Sequence, residues 1–139
     1  MKRWCFILGV IMTFTLQHNV KVAAQESMPN LIQEEMIAMN VAFINLIQAL
    51  ILNKPDTIEK PFVKVKEARD KVEEAVKKGE KLTLPKNQSK FKEFVRIDDE
   101  YHAELEKLLV AAKSKNMKIV KAQTHKLFNL CIYCHARFR

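Results

Sequence analysis

From Leu31 to the end of the chain, apolar residues return every three or four positions. That spacing marks one face of an α-helix, and a strand would alternate every two. It predicts four helices. The first runs from about Pro29 to Asn53, with Ser27 as a cap and Pro29 in the opening turn. The second runs from Asp56 or Pro61 to Lys78, and Gly79 stands where a left-handed residue closes a helix. Its stripe is Phe62, Val65, Ala68/Arg69, Val72 and Val76. The third spans about Ser89 to Ser114, capped by Asn87 or Ser89. Phe91, Phe94, Ile97/Asp98, Tyr101, Leu105, Leu108 and Ala112 form its inner face. The fourth runs from about Met117 to Phe138, with Val120, Thr124, Leu127/Phe128, Cys131 and Cys134/His135 facing inward.

The first helix departs from a one-sided pattern. Between Met36 and Leu52 only Asn40, Asn45 and Gln48 are polar. Either its second side packs on another copy of the chain, since homodimer interfaces are core-like, or it lies beneath a long connection to the second helix. The first explanation is favoured, and it predicts a homodimer.

Composition fits helices and little else. Of two glycines, only Gly79 lies beyond the N-terminal segment, so tight turns are scarce and β-rich folds are excluded. The four prolines, at 29, 55, 61 and 85, fall at breaks in the periodicity. Short connections from the second helix to the third and from the third to the fourth imply antiparallel neighbours. The expected fold is all-α, an antiparallel four-helix bundle.

Residues 1–24 look like a cleaved signal peptide. Lys2 and Arg3 precede an apolar stretch from Trp4 to Leu16, and Val22-Ala23-Ala24 offers small residues for cleavage before Gln25. A mostly apolar stretch of 13 residues is short for a membrane span. Cys5 lies at the start of that stretch, away from any lipoprotein processing position. The expected mature domain is residues 25–139, in the periplasm or an equivalent compartment, with no membrane association once the signal is removed. Losing Lys2, Arg3 and Lys21 lowers the formal charge from +8 to +5. Lysines and glutamates are interleaved, with no basic stripe of the kind nucleic acid requires. The positive excess reads as a solvated surface that can also steer an acidic redox partner protein of unknown identity.

One short motif carries chemistry. Cys131-Ile132-Tyr133-Cys134-His135 is Cys-x-x-Cys-His, the attachment signature of a c-type haem. On a helix, positions i, i+3 and i+4 share a face, so two thiols and an imidazole address one flat macrocycle. A redox dithiol follows a strand in a βαβ unit, and a zinc site needs further ligands. Neither context is evident here, though both readings stay open. Export is consistent with haem, because an exposed thiol pair outside the cytoplasm tends to oxidise.

With the motif on the last helix of a predicted bundle, and Phe138-Arg139 following it, the chain resembles the class II c-type cytochromes, the cytochrome c′ family. Those proteins typically continue Cys-x-x-Cys-His-x-x-Tyr/Phe-Arg. The likeness extends over the mature chain, but only residues 131–139 are specific. The resemblance implies one covalent haem c, with thioethers at Cys131 and Cys134 and His135 as proximal iron ligand. It places Arg139 close to the haem, Phe94 and Tyr101 against it, and a dimer contact on the first two helices. Arg137 is then a solvated charge or a propionate partner.

The opposite face of the iron separates two functions. The family carries the covering residue early in the first helix, and the Met36-x-x-Met39 spacing puts Met36 there, with Met28 and Met39 as other candidates. A coordinating Met36 suits single-electron transfer, and Met/His ligation raises the potential. A non-coordinating Met36 leaves the iron open to NO or CO, as in a gas-binding cytochrome c′, and plain core filling is the bland alternative. His18 lies in the signal segment. His102 follows Tyr101 and should point to solvent. His125 lies roughly 80° from His135 around the helix and leaves a bis-histidine iron open. A haem enzyme would need acid–base groups over the iron, and the first helix offers none from Met36 to Leu52, so no enzymatic activity is expected.

Overall fold

The structure is a computed structural model that describes residues 30–139. The expected signal segment, residues 1–24, the expected Ser27 cap, Met28 and Pro29 lie outside the described residues. Four helices follow one another with no strand among the described residues: α1 (Leu31–Ile51), α2 (Glu59–Lys77), α3 (Phe91–Lys113) and α4 (Met117–Phe138). The chain is all-α. Each observed helix begins and ends within about two residues of where the periodicity predicts, apart from the opening of α2.

Local chemistry explains the ends. The Asn30 side chain accepts from the backbone N–H of Gln33 at 2.9 Å and caps α1. Asn116 does the same for α4, accepting from Ile119 at 3.2 Å. Three helices close alike. Asn53, Gly79 and Lys115 adopt left-handed backbone at φ 52°, 73° and 56°. In each case the next residue's N–H reaches back five residues: Lys54 to Ala49, Glu80 to Ala75 and Asn116 to Ala111. These are Schellman closures.

The connections reverse one expectation. The link between α1 and α2 is short, residues 52–58, whereas that between α2 and α3 runs over 78–90. Pro55 opens a single 3-10 turn rather than a loop, and Pro61 sits in the first turn of α2, where its missing N–H costs nothing. The 78–90 connection is anchored by Leu82 and Leu84, both buried, and by Gln88, whose side chain accepts from Leu84 N–H at 2.7 Å and donates to the Leu82 carbonyl at 2.9 Å.

Inner faces follow a 3-4 rhythm. On α1 the buried positions are Ile32, Glu35, Met39, Ala42, Leu46 and Ala49. On α4 they are Val120, Thr124, Leu127 and Phe138, with Cys131 and Cys134 half-buried between. α1 lies along α2, and α3 along α4. One core draws on all four: Leu46, Phe62, Val65, Leu105, Leu108, Val120 and Leu127 are among its members. A second joins Ile32, Val72, Leu84, Phe94, Ile97 and Phe138, with the Phe94 and Phe138 rings edge to face at 5.6 Å. Ala75, not Val76, is the buried residue at the end of α2, and Phe128 is half-exposed against Phe43.

The outer side of α1 stays bare. Ile37, Val41, Ile44 and Ile51 are each more than half exposed and stand four, three and seven positions apart, along one side of the helix. Among the described residues no long connection covers them. Among the described residues, α1 is also the one helix long and apolar enough to span a membrane, although its inner stripe packs into both cores.

Candidate cofactor site

A cleft of about 550 Å³ opens between the first half of α1, residues 83–85, Phe94 of α3 and the last turn of α4. That volume is ordinary for a small-molecule or cofactor pocket, about 300–1,000 Å³. Five of the residues singled out from sequence line it: Met36, Phe94, Cys134, His135 and Arg139. Ile32 and Ile37 make the α1 wall apolar, while Asn30, Gln33 and Asn40 edge it with amides. Cys131 is half-buried one turn before, packed on the four-helix core that Met36 also touches. Tyr101 is buried, and its hydroxyl has no hydrogen-bond partner among the described residues.

The cleft's walls are fixed by polar contacts. Asn30 Nδ2 donates to the Thr83 carbonyl at 3.3 Å, which ties the start of α1 to the connection. The backbone N–H of Lys86 donates to the Phe138 carbonyl at 3.2 Å, and the Asn87 side chain donates to that of Arg137. The last turn of α4 is thereby held against residues 86–87. Asn87 adopts left-handed backbone, φ 56°, to reach it.

The other candidates fall elsewhere. Met39 is buried in the core rather than in the cleft. His125 is exposed and does not line it. Arg137 pairs with Glu93 at 2.8 Å and stacks on the Tyr133 ring at 4.9 Å. His135 is exposed on the cleft, with its imidazole accessible from solvent.

The thiols are free of each other and poorly ionised. Burial pushes the Cys131 thiol up, and burial together with the charges of Asp98 and Cys131 pushes Cys134 up to about 11. Catalytic dithiols show the opposite, a lowered pKa from a helix N-terminus or nearby cation. These cysteines lie at the end of a helix, where the dipole disfavours a thiolate. The arrangement suits thiols kept as neutral, apolar-facing groups.

His102 requires a correction. Its side chain is only 11% exposed, and Nε2 shares a 2.9 Å hydrogen bond with Glu35 Oε1. The Asp98 and His102 side chains are each 11% exposed, one turn apart on α3, and His102 turns to Glu35 of α1. Burial pushes His102 down to about 4, so its imidazole is neutral at physiological pH. Burial likewise pushes Glu35 up to about 7 and, helped by the Glu35 charge, Asp98 up to about 6. Sequence reading missed this trio. Its signal was the Asp98-x-x-x-His102 spacing and an acid, Glu35, in the heptad register of the α1 core.

No family model, characterised protein or solved structure matches this chain. The reading of the site therefore rests on its own residues.

Proposed function

We propose that this chain is an exported c-type cytochrome of the cytochrome c′ type, an antiparallel four-helix bundle that carries one haem covalently and moves single electrons. One observation carries the reading: Cys134 and His135 of the Cys-x-x-Cys-His motif open, with the neighbouring Arg139, onto the same cleft as Met36 and Phe94, which are distant in sequence.

The residues present fit such a group. Cys131 and Cys134 stand three positions apart on one helix face and would carry the thioether links. Both are free thiols with their protons held by burial, so each would bring the S–H that a thioether link consumes, sulfur to one vinyl carbon and hydrogen to the other. His135 would offer an imidazole nitrogen to the iron. Phe94 and Ile32 exclude water from the inner wall, and the partnerless Tyr101 hydroxyl supplies a donor near Cys131. Arg139 brings a cation suited to a propionate. A bound haem would supply an iron that alternates between the ferrous and ferric states.

Met36 sets the choice between electron carrier and gas binder. Its thioether is a soft ligand on a flexible stem, and the apolar wall around it suits either a low-spin iron or an uncharged diatomic such as NO or CO. No acid–base catalyst is proposed. Glu35, one position earlier, is engaged with His102 instead. The exposed stripe of Ile37, Val41, Ile44 and Ile51 supports a homodimer formed through α1. Periplasmic location rests on the signal-like residues 1–24.

Acid–acetone extraction of the purified chain tests the covalent link. Colour retained on the protein is expected; colour lost to the acetone layer sinks it. A Met36→Ala variant then tests the iron's other face. A change from a sharp low-spin reduced spectrum to a broad one that responds to CO assigns Met36 as ligand. An unchanged spectrum, with prompt CO binding in both proteins, favours gas binding.

A further inference from the structure

Glu35 of α1 and Asp98 and His102 of α3 bring three ligand atoms within 4.8 Å of one another. His102 Nε2 stands 2.9 Å from Glu35 Oε1 and 3.8 Å from Asp98 Oδ1. Two donors bound to one zinc-sized ion at tetrahedral angles stand about 3.4 Å apart. The two His102 separations straddle that value and the third pair lies within 4.8 Å, so rotation of the three side chains would close the site.

A second observation points to a missing ligand. Glu35 is 0% exposed, and its Oε2 has no hydrogen-bond partner among the described residues. Buried polar atoms are nearly always satisfied, and an exception calls for a cause. The local charge is also unbalanced. Among the described residues, Arg69 of α2 is the one lysine or arginine whose charge reaches Glu35 and Asp98, and it is held by Glu73 at 2.6 Å and Asp99 at 2.8 Å. Glu73 has a second partner in Lys77 at 3.4 Å, which leaves Glu35, Asp98 and Asp99 with one guanidinium.

We propose that Glu35, Asp98 and His102 form a binding site for one divalent transition-metal ion of the zinc class, distinct from the cofactor cleft. One imidazole and two carboxylates favour such an ion over calcium or magnesium, which prefer all-oxygen sets. A groove of about 500 Å³ between α2 and α3 has His102, Arg69 and Asp99 in its lining and provides a route from solvent. The ion would act as a clip. Close packing runs within the α1/α2 and α3/α4 pairs, and Glu35 and His102 belong to different pairs. The site does not depend on haem.

The test is calorimetric titration of the full chain, stripped with EDTA, with zinc chloride, beside Asp98→Asn, His102→Gln and the double variant Cys131→Ser/Cys134→Ser. One zinc per chain is expected, with affinity reduced at least about tenfold by either cluster substitution and unchanged by the serine pair. Helical circular dichroism checks that each variant folds. Zinc-edge X-ray absorption on the unsubstituted chain gives a readout independent of the variants: nitrogen and oxygen neighbours are expected. No binding at millimolar zinc, sulfur in the coordination shell, or loss of binding only in the serine pair would overturn the proposal. None of these outcomes bears on the extraction test of the haem link.

Discussion

Glu35→Gln removes one titrating group from an otherwise intact core, and its effect on stability should depend on pH with a defined sign. In the folded chain the Glu35 carboxyl is raised from 4.5 to about 7, chiefly by burial. The unfolded carboxyl loses its proton at the ordinary value while the folded one keeps it. Glu35 therefore favours the folded state below pH 4.5, and that advantage drains away as pH rises from 4.5 to about 7. At 1.36 kcal/mol per pH unit, the loss across that window is about 3 kcal/mol. Two neighbours complicate the parent protein alone. Asp98, raised from 3.8 to about 6, loses stability in the same direction over its own window. His102, lowered from 6.5 to about 4, works the other way, because the unfolded ring takes up a proton first as pH falls. Both are present in the Gln variant, and because the Glu35 charge helps raise Asp98, the difference between the two proteins reports Glu35 together with its coupling to Asp98. Urea unfolding followed by circular dichroism, in EDTA, at several pH values from about 4 to about 8, gives that difference. The parent should lose about 3 kcal/mol relative to the variant across the range. A difference that is flat to within about 1 kcal/mol, or that grows in the parent's favour at high pH, would refute the burial argument.

Two further expectations are simpler to read. Lys115→Gly should stabilise the chain by about 0.5–1 kcal/mol, because lysine holds a left-handed conformation that glycine adopts without strain; the exposed Lys115–Asp56 pair at 3.3 Å offsets little of that. A lower melting temperature in the variant would contradict it. Ile44→Lys places a charge in the bare stripe of α1, and sedimentation should show a dimer for the parent and a monomer for the variant, with unchanged helicity. A monomeric parent at micromolar concentration would end the dimer reading.

The helices were legible in the sequence because burial repeats strictly along them. Val120, Thr124, Leu127, Cys131, Cys134 and Phe138 keep one register from end to end, and Gly79 marked its own turn. The Cys-x-x-Cys-His motif and Met36 were legible as chemistry, and the fold places Cys134, His135 and Met36 on one cleft. What escaped depends on rotation about a helix axis. A stripe on α3 that faces α4 leaves open which flank meets α1 and α2, so His102 was read as solvated although Glu35 lies 2.9 Å away. The connection lengths escaped for a different reason. Proline breaks a pattern equally in a turn and in a first helical turn, and Pro55 and Pro61 do one each.

The grip of residues 86–87 on the end of α4 has a thermodynamic consequence. Terminal helical turns usually fray, and a ligand that must order them forfeits affinity in doing so. Here the Lys86 amide, the Asn87 side chain and the Phe94 ring hold Arg137 and Phe138 in place without help from any occupant. Cys134 and His135 are consequently presented on helical backbone whose far end is anchored. The cleft is preorganised, and whatever enters it meets a shape that has already been ordered by folding.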